Sequence, residues 1–507
     1  MLAPDYLDHA PDRLVMLWQQ AEDDILRDVA RRIGKMDALT PTANWQLWRY
    51  QQTEAVRKDV VKLLARYTGK SEAEIRRLMK EAATAALEAE DEIYYHYGKE
   101  PTPFEESTPL QNLLNAGYRQ TAGSFSNLTA TTANTVSGAF EQALDRAWLQ
   151  VSSGAFDYKT AVKRAVDGLA DSMPYVTYPS GHRDTLEVAA RRAVLTGVNQ
   201  TGAKLQEARM DEMGASFVEV TAHGGARPSH AVWQGRRYHR GGAVDYLGQH
   251  YEDFESATGY GTGAGLCGWN CRHTFFAVFP ELGSPPAWTQ ESLEVLNARD
   301  IKYDGGLYTR YEISQMQRAR ERAVRKWKRR YLAEDAAGAD TTASAVKLRQ
   351  ARQSLADFTR ATGGRVDSAR TSVHGFGRSE GSKASYAARK QERFNAANTE
   401  LQQMREAGTI KAKGRLIESP SAPNEINFAS DHVLQRWAER GMGPMDAERI
   451  IRSSKVAMSQ RNGTQTCYYS ELGFVAIGQD GNVSSIGPLD EGGKKLMEVV
   501  KKHGIPH

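Results

Sequence analysis

The chain has 507 residues, 40% of them hydrophobic and 25% charged, with a mean hydropathy of −0.58 and a formal net charge of +4. Such a length accommodates about three domains, and no run approaches the ~20 apolar residues of a membrane-spanning helix, which excludes that role. The net charge is too small to carry a message, so what matters is where the charge sits.

Met1 to Ala10 carries Asp5 and Asp8 and lacks an apolar core, so no secretory signal is expected. Cys267, Cys271 and Cys467 cannot build a disulfide framework, and a reducing cytosol is the expected place of folding.

The first hundred residues read as helices. Leu14, Leu17, Trp18, Ile25, Val29 and Ile33 recur near the 3.6-residue period, and Thr40-Pro41 resets the chain. A second amphipathic stretch, from Trp45 to Tyr67, closes at Gly69. Ser71 and Glu74 have capping-box spacing and predict a third helix running to about Tyr97. Residues 98–130, with three prolines and a Ser/Thr/Gly-rich run, predict looser structure. Helices are expected again at Phe140–Trp148, Tyr158–Ala170 and Thr185–Met213, the last ending at Gly214. Phe217 to Val220 alternates as a strand does.

From Arg310 to Arg330 nine basic residues face only Glu312 and Glu321. One reading of this segment is a solvated, salt-bridged helix. The preferred reading is a stripe of Arg318, Arg322, Arg325, Lys326, Arg329 and Arg330 facing backbone phosphate or an acidic protein, with Trp327 and Tyr331 as stacking surface. No motif for base-specific recognition accompanies it. Residues 363–425 read as a Gly/Ser/Arg/Ala-rich linker holding one helix, Ser385–Ala407. A compact unit follows, with helices over 431–442 and Met445–Ser453. Strands are expected at Gln465–Tyr469, Phe474–Gly478 and Val483–Ile486, punctuated by Asn462-Gly463 and Asp480-Gly481. The fold class is therefore multidomain: mainly α in the N-terminal and middle regions, with a small α+β motif region and a small α+β C-terminal domain. The expected divisions are a helical region 1–100, an α+β domain 101–307, a basic helix 308–362, the linker 363–425 and a final domain 426–507.

The segment from Ala222 to Gly235 contains Arg227-Pro228-Ser229-His230, and Gly268-Trp269-Asn270-Cys271-Arg272-His273 follows later. Helix, strand, Arg-Pro-x-His-x4-Gly and Gly-Trp-Asn-Cys-Arg-His in this order resemble the phage minor capsid proteins of the Mu-type head-morphogenesis group, over residues 10–330. The motif residues are Arg227, His230, Gly235, Trp269, Asn270, Cys271, Arg272 and His273. The resemblance implies a virion component made in the host cytoplasm and placed in the capsid interior near the portal. Its implied partners are the portal and other head proteins, with packaged DNA or host RNA as further contacts, and its implied role is head assembly or genome delivery.

Thiolate and imidazole are ligand types that zinc prefers, so His230 or His223 could join Cys267, Cys271 and His273 around an ion. Because the Cys-x3-Cys-x-His spacing matches no standard finger, the favoured alternative is that Asn270 and Arg272 pin turns while the cysteines pack as small hydrophobes. No cofactor is otherwise expected. Cys271 as a nucleophile is weaker still, since no third group can be named for it.

In the C-terminal unit His432, Arg436 and Arg440 are spaced four apart on one helix face. That helix followed by a meander resembles the barnase–EndoU–colicin–RelE-like nuclease domains. The resemblance implies a metal-independent RNase in which His432 performs acid–base chemistry and Arg436 and Arg440 hold phosphate. Ser484 or Ser485 would donate to phosphate and Tyr468 would stack on a base, with Glu439 and Glu471 as further acid–base candidates. Binding without catalysis stands beside this reading. A delivered RNase toxin and an inactive nucleic-acid-binding head protein are the alternatives to a structural head protein carrying this domain.

Overall fold

The computed structural model describes the chain except residues 36–41, 173–174, 179–180, 419–422, 424–425, 429–434, 436–438 and 506–507. It forms two units, Met1–Glu380 and Gly381–His507, and is mainly helical and multidomain, as the periodicities predict.

The first unit opens with helices α1 (Pro4–His9), α2 (Asp12–Gly34), α3 (Thr42–His96), α4 (Thr108–Ser152) and α5 (Tyr158–Ser172). A short hairpin, β1 (Tyr175–Thr177) and β2 (Arg183–Thr185), leads into α6 (Leu186–Met213), which Thr185 caps and Gly214 ends at φ 69°. The apolar stripe of α2 packs as its spacing requires: Leu14, Trp18, Ile25 and Val29 are buried with Val60, Leu64, Phe125, Phe140 and Val194 in one core.

Two helices run further than local sequence signals predict. α3 continues through Gly69 and Ser71 without a break. The Ser71 hydroxyl donates to the Tyr67 carbonyl (2.8 Å) and accepts from the Trp18 indole N–H (2.9 Å), so it is used by the helix and the core and caps nothing. α4 passes straight through the Ser/Thr/Gly-rich run, because those small residues let helices approach. A Cβ on Gly117 would lie 2.1 Å from Thr201 Oγ1, and one on Gly197 would lie 2.1 Å from Thr121 Oγ1. This reciprocal pair fixes the α4–α6 crossing.

After α6 the chain forms β3 (Phe217–Val220), α7 (Pro228–Ala231), β4 (Arg237–His239), the hairpin β5 (Val244–Tyr246) and β6 (Gln249–Tyr251), α8 (Phe254–Thr258) and β7 (Phe275–Val278). Strands β4, β3 and β7 make a three-stranded antiparallel sheet in that order, with Val218 opposite Tyr238 and Ala277. Val218, Val220, Phe275 and Ala277 bury one face against Tyr94 of α3 and Met210 of α6. Then come α9 (Gln290–Asn297), the hairpin β8 (Ile301–Tyr303) and β9 (Gly306–Tyr308), and α10 (Arg310–Ala336), which opens with a Thr309/Glu312 capping box. α11 (Thr342–Thr362) and α12 (Ser368–Thr371) follow. The expected boundaries near 100 and 307 do not divide this unit, since α3, α4 and α6 share one core and Ala333 of α10 joins it.

The expected linker 363–425 is largely structured. α13 (Arg378–Glu406) buries Phe394, Ala397 and Leu401 against the second unit's sheet, and β10 (Arg415–Glu418) is the sheet's first strand. The sheet is five-stranded and antiparallel, β10, β11 (Val456–Gln460), β12 (Gln465–Ser470), β13 (Gly473–Gly478) and β14 (Val483–Gly487). It exceeds the expected meander by two strands. α14 (Pro444–Ser453) covers one face through Ile450 and Ile451. α13 and α15 (Glu491–Lys502) cover the other through Leu401, Leu496 and Val500.

Candidate functional site

The two motifs of the first unit meet at one wall of a cavity of about 410 Å³. The Arg-Pro-Ser-His segment forms α7, a single turn that Pro228 starts and that delivers His230 inward, 2% exposed. The Gly-Trp-Asn-Cys-Arg-His segment is a tight loop leading into β7. Gly265 and Gly268 are required there by close backbone approach: a Cβ would meet the Gly259 carbonyl oxygen at 2.0 Å and the Gly263 carbonyl oxygen at 2.4 Å respectively. Cys267 and Asn270 take left-handed backbone angles, φ 57° and 55°.

Buried groups lock this loop onto the helices. Asn199 of α6 donates from Nδ2 to the carbonyls of Cys271 and His273, both at 3.0 Å. Arg227 donates to the Trp269 carbonyl (2.8 Å), and Arg272 donates to the Gly225 carbonyl (3.2 Å), so each motif's arginine fastens the other motif. Asn270 thus supplies a left-handed backbone position and Arg272 a tie to the other motif. Trp269 is 60% exposed, and Gly235 holds φ 68° beside Leu293.

Three side chains converge at the wall. Cys271 Sγ lies 3.7 Å from His230 Nδ1 and 3.6 Å from His273 Nδ1, and the two Nδ1 atoms are 3.4 Å apart. Cys267 is not brought in, for its sulfur faces the His273 carbonyl at 3.6 Å. His223 stacks on His273 with ring centroids 4.4 Å apart, and its Nδ1 accepts from the Gly225 N–H. Burial lowers the pKa of His230 to about 4 and that of His223 to about 3, and burial with the neighbouring His223 and His230 holds His273 far below its ordinary value. All three imidazoles are neutral near pH 7. Burial pushes the Cys271 thiol up, so it is no activated nucleophile.

Elsewhere the lining combines apolar residues such as Val15, Met16 and Leu195 with a cluster of ionic groups. Asp8 meets Arg191 at 2.7 Å, Arg272 at 3.3 Å and Arg370 at 3.7 Å. Although burial works against it, Arg272, Arg191, Arg370 and Arg318 together hold the Asp8 carboxyl below its ordinary value. Burial, reinforced by Arg370, lowers Arg318 to about 10.

The basic helix differs from the expected outward stripe. Arg325 is paired with Glu187 of α6, and Arg329 reaches Glu22 and Asp23 of α2, each at 2.7 Å. Arg330 pairs with Asp167 of α5, and Lys326 lies 3.1 Å from Asp171. Arg318 turns into the cavity, and Arg322 is exposed at its rim. Apart from Glu334 beside Arg330, the acids that neutralise α10 thus come from other helices, which no count along the helix itself can reveal. Sequence reasoning also missed Asp8, Asn199 and Gln234. Of these only Asn199 carries a signal, as a polar residue inside the apolar period of α6.

In the second unit the expected RNase constellation is not assembled by the described residues. His432 and Arg436 lie outside them. Arg440 donates to the Ile486 carbonyl. Tyr468 is 2% exposed beneath α14, where it cannot stack on a base, and Ser485 is opposite Ala476, whose side chain belongs to the other face of the sheet. Ser484 Oγ donates to the Ala476 carbonyl at 3.1 Å and accepts from Gln465. Glu439 is exposed beside Gln435 (3.4 Å), and Glu471 pairs with Lys501.

The chain is thus a helical unit with buried ion pairs along α10, followed by a separate α+β unit. The model of the family described as phage minor capsid protein 2 matches residues 2–360, and the chain belongs to that family. No curated protein matches the chain, and no solved structure does. Membership makes it a head protein of a phage. Among the described residues no helix is long and apolar enough to cross a membrane.

Proposed function

We propose that the chain is a portal-associated structural component of a tailed-phage head, in which Met1–Glu380 is the assembly part and Gly381–His507 is carried as a module. The observation that supports this reading is that the family match falls wholly within the first unit: it ends at residue 360, and the second unit begins at Gly381. The partners are the portal ring and neighbouring head proteins, and the place is the capsid interior near the portal. Heads assembled with the full chain, and with a chain ending at Glu380, test it. Both proteins should co-purify with portal rings in the same defined stoichiometry. Absence of the full chain from portal complexes, or loss of the shortened one, counts against it.

Retained RNA cleavage rests on His432 and Arg436, since Tyr468 and Arg440 are otherwise engaged. Incubating the full chain with total RNA, beside His432→Ala, decides the matter. Cleavage lost in the variant makes the module an RNase effector, and intact RNA with both makes it a structural or binding module.

A further inference from the structure

We infer that His230, Cys271 and His273 hold a zinc ion through Nδ1, Sγ and Nδ1, with the fourth coordination position on the side of the cavity these residues line. The first argument is metric. Zinc binds imidazole nitrogen at about 2.0–2.1 Å and thiolate at about 2.3 Å, so the edges of a tetrahedral site are about 3.3–3.4 Å for N···N and about 3.5–3.6 Å for N···S. The three edges here are 3.4, 3.6 and 3.7 Å. Three donors chosen only for packing have no reason to sit at one spacing.

The second argument concerns protons. His230 Nε2 is 2.9 Å from the Ala264 carbonyl oxygen, which can only accept, so that nitrogen carries the hydrogen. His273 Nε2 is 3.0 Å from Gln234 Oε1. The orientation of that amide is set by its other contacts: Oε1 accepts from the His223 backbone N–H at 3.0 Å, and Nε2 donates to Asn297 Oδ1 at 3.1 Å. His273 therefore also carries its hydrogen on Nε2. Both Nδ1 atoms are then bare lone pairs facing each other inside the protein. The single thiol proton of Cys271 satisfies at most one of them. A cation satisfies both and takes the thiolate, while the released thiol proton passes to solvent. Imidazoles that donate their far N–H to a carbonyl are oriented as metal ligands require.

The ion ties α7 to the loop before β7, two segments more than 40 residues apart in sequence. Three protein ligands beside a cavity leave room for water or an anionic ligand, and the nearby guanidinium groups of Arg227 and Arg272 favour the anion.

The test uses the purified full chain. Elemental analysis should find one zinc per chain. Replacement by cobalt(II) should give the sulfur-to-cobalt charge-transfer band that reports thiolate ligation. Cys271→Ser should abolish the band, and Gln234→Leu, which removes the acceptor that orients His273 together with the bonds to the His223 N–H and Asn297, should weaken zinc retention about 10–100-fold. Cys267→Ala and Cys467→Ser should change neither. Circular dichroism monitors the fold of each variant. Should Cys271→Ser fail to fold, the wild type decides: zinc with the thiolate band supports the site. A folded chain that, after reconstitution with zinc, holds no more of it than Cys271→Ser, or shows no thiolate band, overturns it. So does equal loss on Cys267→Ala.

Discussion

Arg329 is the most consequential charged side chain of the basic helix, and its removal separates the two accounts of that helix. Its guanidinium is nearly buried between Glu22 and Asp23, whose side chains are 1% and 2% exposed. Burial opposes its charge, yet Glu22 and Asp23 hold its pKa above the ordinary arginine value, while burial raises Glu22 to about 7 in spite of Arg329. Arg329→Met keeps the stem's packing and removes the charge, leaving two carboxylates without their partner. Breaking a buried pair in this way costs about 3–5 kcal/mol. Glu22 can relieve part of this by staying protonated. The variant's folded state then binds a proton that the unfolded state has already released, so its stability falls as pH rises. The penalty is accordingly larger at pH 8 than at pH 5.5. Urea unfolding of both proteins at the two pH values measures it. A loss below about 1 kcal/mol at pH 8, the worth of an exposed ion pair, would refute the reasoning. DNA affinity, measured alongside, should not change, whereas an outward phosphate contact would reduce its salt dependence.

The pH response of the first unit carries a second signature. Burial, with a hydrogen bond to Asp167, raises Glu334 from 4.5 to about 7 against the pull of Lys163. The folded state therefore keeps a proton that the unfolded state loses near 4.5, and this stabilisation fades as pH rises through 7. Glu334→Gln should gain stability relative to wild type across that window in unfolding experiments, and a constant difference would exclude it. At the α4–α6 crossing, Gly197→Ala should cost about 1–3 kcal/mol through its clash with Thr121, with Thr121→Ala restoring part of the loss in the thermal melt. In the second unit Tyr468→Ala should destabilise by about 3–5 kcal/mol, as loss of a buried aromatic does. A base-stacking tyrosine would leave the melt unchanged.

Short stretches of the chain encode part of this architecture. The stripe of α2 and the Thr185 cap and Gly214 stop of α6 appear where their spacing and residue types require. So do the turns at Asn462-Gly463 and Asp480-Gly481. Each of these signals acts over a few residues, where backbone preference and hydrophobic period decide the outcome. Other features depend on partners far along the chain. The unbroken course of α3 needs Trp18 to occupy the Ser71 hydroxyl, and α4 needs the small residues of α6. Arg329 finds its acids 306 and 307 positions away, which turned an apparent surface stripe into the ionic core of the unit. The histidines and cysteines were visible from the start, but tertiary structure alone selected Cys271 over Cys267. Only the packed loop sets which sulfur faces the two imidazoles.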